Sequence, residues 1–561
     1  MEAVSHRLQS WKWVSLLYLL CALISTYPMI LNPTQTVVGH EEASVACHVW
    51  IYWWAQNHGT DLVSPMIFYP YGADVVQLYG SDLLSPLLAF FLPISPALMY
   101  NLWVLFLLVI GGLGIRRLII DLGGHSNGAF SGGLLFMTGA FFHHEVLNGT
   151  AEIVAASTVV WYLVYLRRLL DGPSIALGLI LGVWAGVSTA LSAYNPFFLM
   201  VVTLCELLHR LTKDSTPIFT VALLRSGAAS MLTFMSFLIP VAWLHLTHGA
   251  GDTFSRREDW LSEDSALPDS YAGILDWFNF SEAQIPAEIK LPHGEIFEYW
   301  TTCTVYLGLS ALGLLIFGLV KKRWNAALRP FSWMCMVGLL IAMGPFLRWE
   351  DTVVKWGDMS IPLPAQTIAY LFPPFVITAM HAYRYTTVVM LALSVMVGRM
   401  TRHWAWGFAF LLELILLSPI PWPVPVTEIP SGQVIEYLAQ AEDGAVFTAP
   451  IAKENLHDLG LTLLLQTQHH KAVHEGGIHR RAGVQATQLF NQNPMVDSLS
   501  GRFGPSFVGD VETLWSIRDL LDKGYRYILV PNNELQTIQY FTDILGPPSQ
   551  EDVDWSLWEL K

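Results

Sequence analysis

Apolar residues form long runs along most of the chain, separated by short polar loops. Eleven of these runs approach the roughly 20 residues that a helix needs to cross the hydrocarbon core of a bilayer. They lie near residues 11–31, 97–115, 127–143, 150–166, 174–193, 196–209, 226–247, 302–320, 330–347, 380–398 and 404–422. The pattern predicts a mainly α-helical, polytopic membrane bundle with about eleven transmembrane helices.

Two longer loops, 32–96 and 248–301, interrupt this series. In the first, apolar residues recur with the spacing of one helix face at Ala46, Val49, Trp50, Trp53 and Trp54. We expect an interfacial helix whose tryptophans lie at headgroup depth, with His48 on its other side. The run Leu83–Pro93 is too short to span, and we expect it to lie in the membrane surface.

The pattern changes after the proline-rich segment 421–425, where a stiff, extended linker is expected. Residues 427–561 contain no apolar run long enough to span, and carry nine basic and eighteen acidic residues. Short strands are predicted at 446–449, 472–474 and 525–531, and helices near 456–468, 510–522 and 534–545. The sequence therefore predicts a membrane domain, 1–426, followed by a soluble α/β domain, 427–561.

Composition agrees with a membrane protein. Hydrophobic residues make up 53% of the chain and charged residues 13%, and the mean hydropathy is +0.44. These values exclude an ordinary soluble protein of this length. Membrane lipids are the expected surroundings, and no nucleic-acid partner is expected for a chain with a net charge of −15.

Basic residues give the orientation, because they are retained on the cytoplasmic side of membrane proteins. Fifteen lie in the loops that would be cytoplasmic if the amino terminus is inside, and six in the outer loops. We expect a bacterial inner-membrane protein with its carboxyl-terminal domain outside the cytoplasm. The first apolar run is expected to be a retained helix, since Tyr27-Pro28 stands where a signal-peptide cleavage site would be.

The first outer loop contains no lysine or arginine, yet includes the acid pair Glu41 and Glu42. A carboxylate near the membrane surface can act as a general base or bind a divalent cation such as Mg²⁺ or Mn²⁺. These two residues are therefore the candidate catalytic residues and, if a metal is bound, its candidate ligands. The alternative is a helix-start carboxylate stabilised by the helix dipole.

Other ionisable residues gather at the same predicted face. Ionisable groups at span edges are costly unless they face a cavity or the bundle interior. The candidate substrate-binding residues are His48, His144, Glu145, Glu152 and Arg384. Arg384 is a plausible phosphate contact, since guanidinium groups pair well with phosphate. Loop polarity and snorkelling of Arg384 to the interface are the competing interpretations.

Several short segments, in this order, resemble the GT-C class of membrane glycosyltransferases, and in particular a poorly characterised bacterial family of that class. They are Phe68-Tyr69-Pro70-Tyr71-Gly72, Asn148-Gly149-Thr150-Ala151-Glu152, Gly344-Pro345-Phe346, Leu363-Pro364 and Tyr383-Arg384-Tyr385. The resemblance implies transfer of a sugar from a polyprenyl-phosphate donor to a glycan or protein acceptor at the outer membrane face. It also implies that Glu41 or Glu42 is the base or metal ligand and that Arg384 contacts the donor phosphate.

Two other functions compete with the enzyme. A transporter would place ionisable groups at mid-membrane, where only Glu206 and Glu413 are found. A non-catalytic scaffold or assembly subunit of a glycoconjugate pathway could have the same fold. Glycine pairs such as Gly111-Gly112 and Gly132-Gly133 favour close helix packing, and the histidines near 469–479 are expected to be surface residues rather than zinc ligands.

Overall fold

The computed structural model describes residues 10–40, 44–59, 61–76, 82–213, 220–248, 284–290, 296–302, 304–349, 352–372, 381–450, 456–474, 492–499 and 508–561. The predicted catalytic residues Glu41 and Glu42 lie outside the described residues, as does most of the predicted outer loop 248–301.

The described residues form helices and short strands in the following order. The helices are α1 (Trp11–Ser25), α2 (Val45–His58), α3 (Leu84–Phe91), α4 (Pro96–Asp121), α5 (Ser126–Met137), α6 (Ala140–Leu147), α7 (Ala151–Val154), α8 (Ser157–Asp171), α9 (Ile175–Leu191), α10 (Asn195–Lys213), α11 (Val221–His248), α12 (Leu309–Val320), α13 (Arg329–Ala342), α14 (Pro364–Leu371), α15 (Thr386–Met400), α16 (Ala405–Leu416), α17 (Gln433–Gln440), α18 (Leu456–His469), α19 (Pro494–Leu499), α20 (Asp510–Asp522) and α21 (Leu535–Leu545). The strands are β1 (Thr36–Val38), β2 (Val63–Ser64), β3 (Ala73–Asp74), β4 (Gln284–Lys290), β5 (Ile296–Thr302), β6 (Arg348–Trp349), β7 (Thr352–Val353), β8 (Lys355–Trp356), β9 (Met359–Ser360), β10 (Val426–Glu428), β11 (Ala445–Thr448), β12 (Tyr525–Pro531), β13 (Gln550–Glu551) and β14 (Trp555–Glu559).

Each of the eleven apolar runs contains helix, so the molecule is mainly helical as predicted. Among the described residues, three helices are long and apolar enough to cross a membrane: Pro96–Asp121, Ala151–Asp171 and Val221–Leu244. Five further apolar helices have 10–17 residues. Some runs give shorter helices than predicted because the backbone breaks inside them; the run at 127–143, for example, is divided between α5 and α6 at Gly139.

Glycines bring α4 and α5 into close contact, as the sequence predicts. A Cβ atom added at Gly112 would lie 2.4 Å from the sulfur of Met137, and one at Gly133 would lie 2.6 Å from the carbonyl oxygen of Gly112. The same Cβ atom at Gly133 would also meet the hydroxyl of Tyr18 in α1. These glycines therefore serve helix packing.

Basic residues meet at one end of the bundle. Arg168, near the end of α8, pairs with Asp121 at the end of α4, with Nη2 and Oδ2 2.8 Å apart. Arg399, near the end of α15, donates from Nε to the carbonyl oxygen of Leu122 at 3.2 Å. The ends of these three helices thus lie side by side, and their starts lie at the other end of the bundle.

The trailing segment contains a four-stranded sheet in the order β11-β12-β14-β13, with β11 and β12 parallel. The helices expected in this segment are present as α18, α20 and α21, and two of the strands as β11 and β12. The strand expected at 472–474 is reduced to a single bridge between Val473 and Val446. The segment also joins the rest of the chain, because β10 pairs with β1 and α18 packs against α2.

Two expectations about exposure are wrong. Trp50, Trp53 and Trp54 are 0–4% exposed and pack inside the protein, whereas the sequence pattern predicts that they contact the headgroups; their depth in the membrane stays a prediction. Helix α18 covers them, and periodicity within one helix cannot distinguish a lipid surface from a distant partner helix. His469 and His474 are also buried rather than exposed; the backbone N–H of Lys471 donates to Nδ1 of His469 at 3.0 Å.

Candidate functional site

His48 and Glu152 form a partly buried pair at the start of two helices, with side chains 13% and 16% exposed. His48 lies in the first turn of α2, and its Nε2 is 3.6 Å from Oε2 of Glu152 in α7. The ring of Tyr100, near the start of α4, lies 5.7 Å from the His48 ring. Burial alone would lower the pKa of His48, but the Glu152 carboxylate and Asp82 hold it above its usual value. The pair favours an imidazolium beside a carboxylate.

The turn between α6 and α7 holds the start of α2 in place. The N–H of His40 donates to the carbonyl oxygen of Leu147 at 2.9 Å, and that of Ser44 to the carbonyl oxygen of Asn148 at 3.2 Å. These bonds anchor the chain on both sides of segment 41–43. The backbone of the motif around Asn148 therefore supports the start of α2 in the loop 32–96.

Gly149 gives this support its close fit, and its replacement is a direct test. Its φ is +68°, and a Cβ atom there would lie 2.3 Å from the backbone nitrogen of Val45. We expect Gly149→Ala to lower the free energy of unfolding by about 2–5 kcal/mol, because the left-handed backbone costs about 1–2 kcal/mol and the turn must also move away from α2, which costs about 1–3 kcal/mol. Thermal unfolding in detergent measures this effect.

The matched control is Gly123→Ala. Gly123 has a φ of +74°, but a Cβ atom there would have nothing within 4 Å. Alanine at this position is therefore destabilising by about 1–2 kcal/mol because of the left-handed backbone, without a steric clash. Equal destabilisation by the two substitutions would show that the approach to α2 contributes nothing.

Glu145 and Arg384 form a second, buried pair. Glu145 is fully buried near the end of α6, and its Oε1 lies 3.5 Å from Nε of Arg384. The hydroxyl of Thr150 donates to the other carboxylate oxygen of Glu145. The Arg384 guanidinium lies over the ring of Tyr194, 4.8 Å from its centroid. An arginine that is 8% exposed is therefore held by an acid and an aromatic face.

The structure brings together all five candidate substrate-binding residues. His144 is fully buried, and its ring lies 5.6 Å from that of Tyr383, the neighbour of Arg384. Thr150, whose hydroxyl donates to Glu145, stands two residues before Glu152, so the two pairs are linked through one turn of the chain. The positions of Glu41 and Glu42 relative to this cluster remain a prediction.

Asp82 and Tyr194 also belong to this neighbourhood, and sequence reasoning did not select them. Asp82 is 3% exposed; its Oδ2 accepts from the hydroxyl of Ser85 at 2.5 Å, and that hydroxyl accepts from Tyr52 at 2.9 Å. Burial raises the pKa of the Asp82 carboxyl to about 6. An aspartate in a loop without basic residues was an available signal, whereas Tyr194, in an apolar run, offered none.

Several polar atoms of the cluster are buried and lack a hydrogen-bond partner. Among the described residues, the hydroxyl of Tyr100 and both ring nitrogens of His144 have no hydrogen-bond partner, and Oε1 of Glu145, Nε of Arg384 and Oε2 of Glu152 have only the long ion-pair contacts given above. Buried polar atoms are normally satisfied by protein or by a bound molecule. The cluster therefore has the polar groups of a binding site, with both charge signs present.

The fit to a divalent cation is incomplete. Within the described ranges, no three His, Cys, Asp or Glu side chains are grouped as ligands of a metal ion. The predicted ligands Glu41 and Glu42 lie outside those ranges. Binding of Mg²⁺ or Mn²⁺ thus remains a prediction, and no step below uses a metal.

No protein-family model matches the sequence, and no curated protein matches it. The fold is similar to that of arabinofuranosyltransferase AftD from Mycobacteria, at 15% identity and a TM-score of 0.49, over 93% of this chain and 37% of that one. It is similar to ArnT from Cupriavidus metallidurans bound to undecaprenyl phosphate, at 10% identity and a TM-score of 0.49, over 98% and 99% of the two chains.

A third similar structure is the archaeal oligosaccharyltransferase AglB from Archaeoglobus fulgidus, in complex with an inhibitory peptide and a dolichol-phosphate. The identity is 12% and the TM-score 0.41, over 96% of this chain and 72% of that one. All three are glycosyltransferases of the GT-C class, which the sequence motifs resemble. This chain spans less than two fifths of the arabinofuranosyltransferase. Identities of 10–15% and TM-scores below 0.5 assign no activity here, so the proposal below depends on this chain's own residues.

Proposed function

We propose that this protein is a membrane glycosyltransferase that transfers a sugar from a polyprenyl-phosphate donor to a glycan or protein acceptor at the outer face of the membrane. The observation that carries the proposal is the buried cluster in which Arg384 lies beside Glu145, close to the His48–Glu152 pair. A cation, two carboxylates and an imidazole, several with unsatisfied polar atoms, are the groups that displacement of a phosphate from a sugar requires.

The position of the cluster along the helices supports the outer face. Tyr100 lies near the start of α4 and Arg116 sixteen residues later, about 24 Å along the helix. Glu152 likewise precedes Arg168 along α7 and α8, and Arg384 lies just before α15, which contains Arg399. The cluster is thus at the opposite end of the bundle from the basic residues, which favour the cytoplasmic side.

The chemistry suits a donor confined to the membrane. A polyprenyl tail buries many CH₂ groups, each contributing about 0.8 kcal/mol, so its phosphate stays at headgroup depth. In the proposed reaction, Arg384 binds the leaving phosphate and stabilises the charge that develops as the bond between the anomeric carbon and the phosphate oxygen breaks. A carboxylate removes the proton from the attacking hydroxyl of the acceptor.

Glu41 or Glu42 is the proposed base. The pair lies between His40 and Ser44, whose backbone N–H groups bond to the turn that precedes Glu152. Each acid is one or two positions along the chain from one of these anchored residues, which supports the proposal that the base acts near Glu152. Glu145 and Glu152 are the next candidates, because both are already in the cluster.

The finer organisation completes the proposal. It comprises about eleven spans, an amino terminus inside the cytoplasm, and a division at residue 426 between the membrane domain and an outer α/β domain. Reporter fusions after residue 325 and after residue 425 are expected to lie on opposite sides of the bacterial inner membrane. Fusions on the same side would refute both the span number and the outer position of the cluster.

The activity itself can be tested with defined donors. The purified protein in proteoliposomes is incubated with a panel of polyprenyl-phosphate-linked sugars and a mixture of glycan and peptide acceptors, and free polyprenyl phosphate is measured over time. We expect at least one donor to be bound, and its polyprenyl phosphate to be released faster than in protein-free liposomes. A folded protein that binds none of them would instead favour the scaffold function.

A further inference from the structure

Helix α2 lies between the candidate site and the trailing segment of the chain. Residues two positions apart on an α-helix are rotated by about 200° around its axis, so their side chains point to nearly opposite sides. His48 accordingly contacts Glu152 and Tyr100 on one side, whereas Trp50 contacts Gln466 of α18 on the other. Movement of α2 away from α18 would therefore change the position of His48.

The side chain of Gln466 connects α2 to both the loop between β2 and β3 and the trailing segment. Nε1 of Trp50 donates to Oε1 of Gln466 at 2.5 Å. Nε2 of Gln466 donates to the carbonyl oxygen of Met66 at 2.8 Å and to that of Lys471 at 2.9 Å. Trp50 and Gln466 are both fully buried. Gln466 thus ties α2, the loop between β2 and β3, and the chain after α18 to one another.

A second set of bonds fixes the same loop to the trailing segment. The N–H of Val473 donates to the carbonyl oxygen of Met66 at 2.8 Å, and the N–H of Tyr69 to that of Val473 at 3.0 Å. The hydroxyl of Tyr525 donates to the carbonyl oxygen of Tyr69 at 2.5 Å. These bonds hold the loop in place without Gln466. Gln466, which is bonded to Met66 of this loop, is therefore fixed itself and can position Trp50.

We infer that Gln466 is a positioning residue: through Trp50 it sets the position of α2 so that the His48 imidazole meets the Glu152 carboxylate. The trailing segment thereby controls the geometry of the site through a helix, without a contact of Gln466 with the substrate. The contact itself is independent of the reaction, and its consequence for sugar transfer rests on the proposed function.

The pairing can be followed through the ionisation of His48. Within the described part of the chain, the ionisable groups that face it are the carboxylates of Glu152 and Asp82 and the phenols of Tyr52 and Tyr100. The carboxylates raise its pKa, while burial opposes them. If α2 shifts so that His48 moves away from Glu152, the carboxylate raises the pKa of His48 less. Burial still lowers this pKa, so the pKa of His48 falls.

The experiment compares the full-length protein with Gln466→Met and Trp50→Phe. Each substitution removes the hydrogen bond from one side; methionine is close to glutamine in shape, and phenylalanine keeps one aromatic ring but is smaller than tryptophan. Gln468→Met, on the same helix and only partly buried, is the matched control. Exchange of the imidazole C2 hydrogen, measured by mass spectrometry across pH in a peptide containing His48, gives the pKa of His48.

We expect both test variants to lower the pKa of His48, and the control to leave it at the wild-type value. The double variant should lower it no further, because the two side chains act through one bond. An unchanged pKa of His48 in Trp50→Phe, which retains one aromatic ring, would overturn the inference. A lowered pKa in a protein that transfers no sugar would leave the positioning role intact and refute only the proposed function.

Discussion

Replacing Glu41 and Glu42 together by glutamine is expected to lower the rate of sugar transfer by about 10²–10⁴, the usual contribution of a general base. Donor affinity should change little, because the base acts on the acceptor hydroxyl. The two single substitutions then identify which of the two acids accepts the proton from the acceptor hydroxyl. Single-turnover transfer and donor binding, measured on the same preparation, separate the two quantities.

The control is the exposed acid pair Glu442→Gln, Asp443→Asn, which removes the same charge from the trailing segment. It should leave transfer near the wild-type rate. Full activity of the Glu41→Gln, Glu42→Gln variant would contradict the assignment and direct attention to Glu145 and Glu152. If glutamine at all four positions left transfer unchanged, none of these acids would be the base.

Arg384→Gln is expected to weaken donor binding by about 10- to 100-fold, since a charged hydrogen bond contributes about 1.5–3 kcal/mol. It should also destabilise the protein, because Glu145 would remain buried without its partner, a change that typically costs about 3–5 kcal/mol. Donor binding to the purified protein and thermal unfolding measure the two effects separately.

The double variant Arg384→Gln, Glu145→Gln distinguishes these roles. Removing both charges relieves the unpaired carboxylate, so stability should recover in large part. Donor binding should not recover, because the phosphate contact is still missing. Recovery of both would mean that Arg384 only balances Glu145, and that the donor phosphate is bound elsewhere.

The sequence predicted the helices well because long apolar runs leave the chain few alternatives. Hydropathy did not reveal where these runs break, as at Gly139, since a break depends on local backbone geometry. The strand β14 was missed because Trp555–Glu559 mixes polar and apolar residues and is buried by the sheet and helices around it. Its burial is a property of the fold and not of the segment.

The candidate site was partly accessible from sequence. Glu145, Glu152 and Arg384 stood out because charges are rare at the edges of apolar runs. Their pairing was not predictable, since Glu145 and Arg384 are separated by more than two hundred residues. Trp50 shows the limit most clearly: its spacing marks it as apolar, but its partner Gln466 lies in another region of the chain.

The contact between Trp50 and Gln466 also has a consequence for synthesis. The two residues are 416 positions apart, and ribosomes add about 5–20 residues per second, so Trp50 waits about 20–80 s for its partner. Strand β1 waits similarly for β10. A chain that stops before Gln466 contains every one of the apolar runs and the turn that supports the start of α2, yet it lacks the hydrogen-bond partner of Trp50. The contacts that fix α2 beside the candidate site are therefore completed late in synthesis.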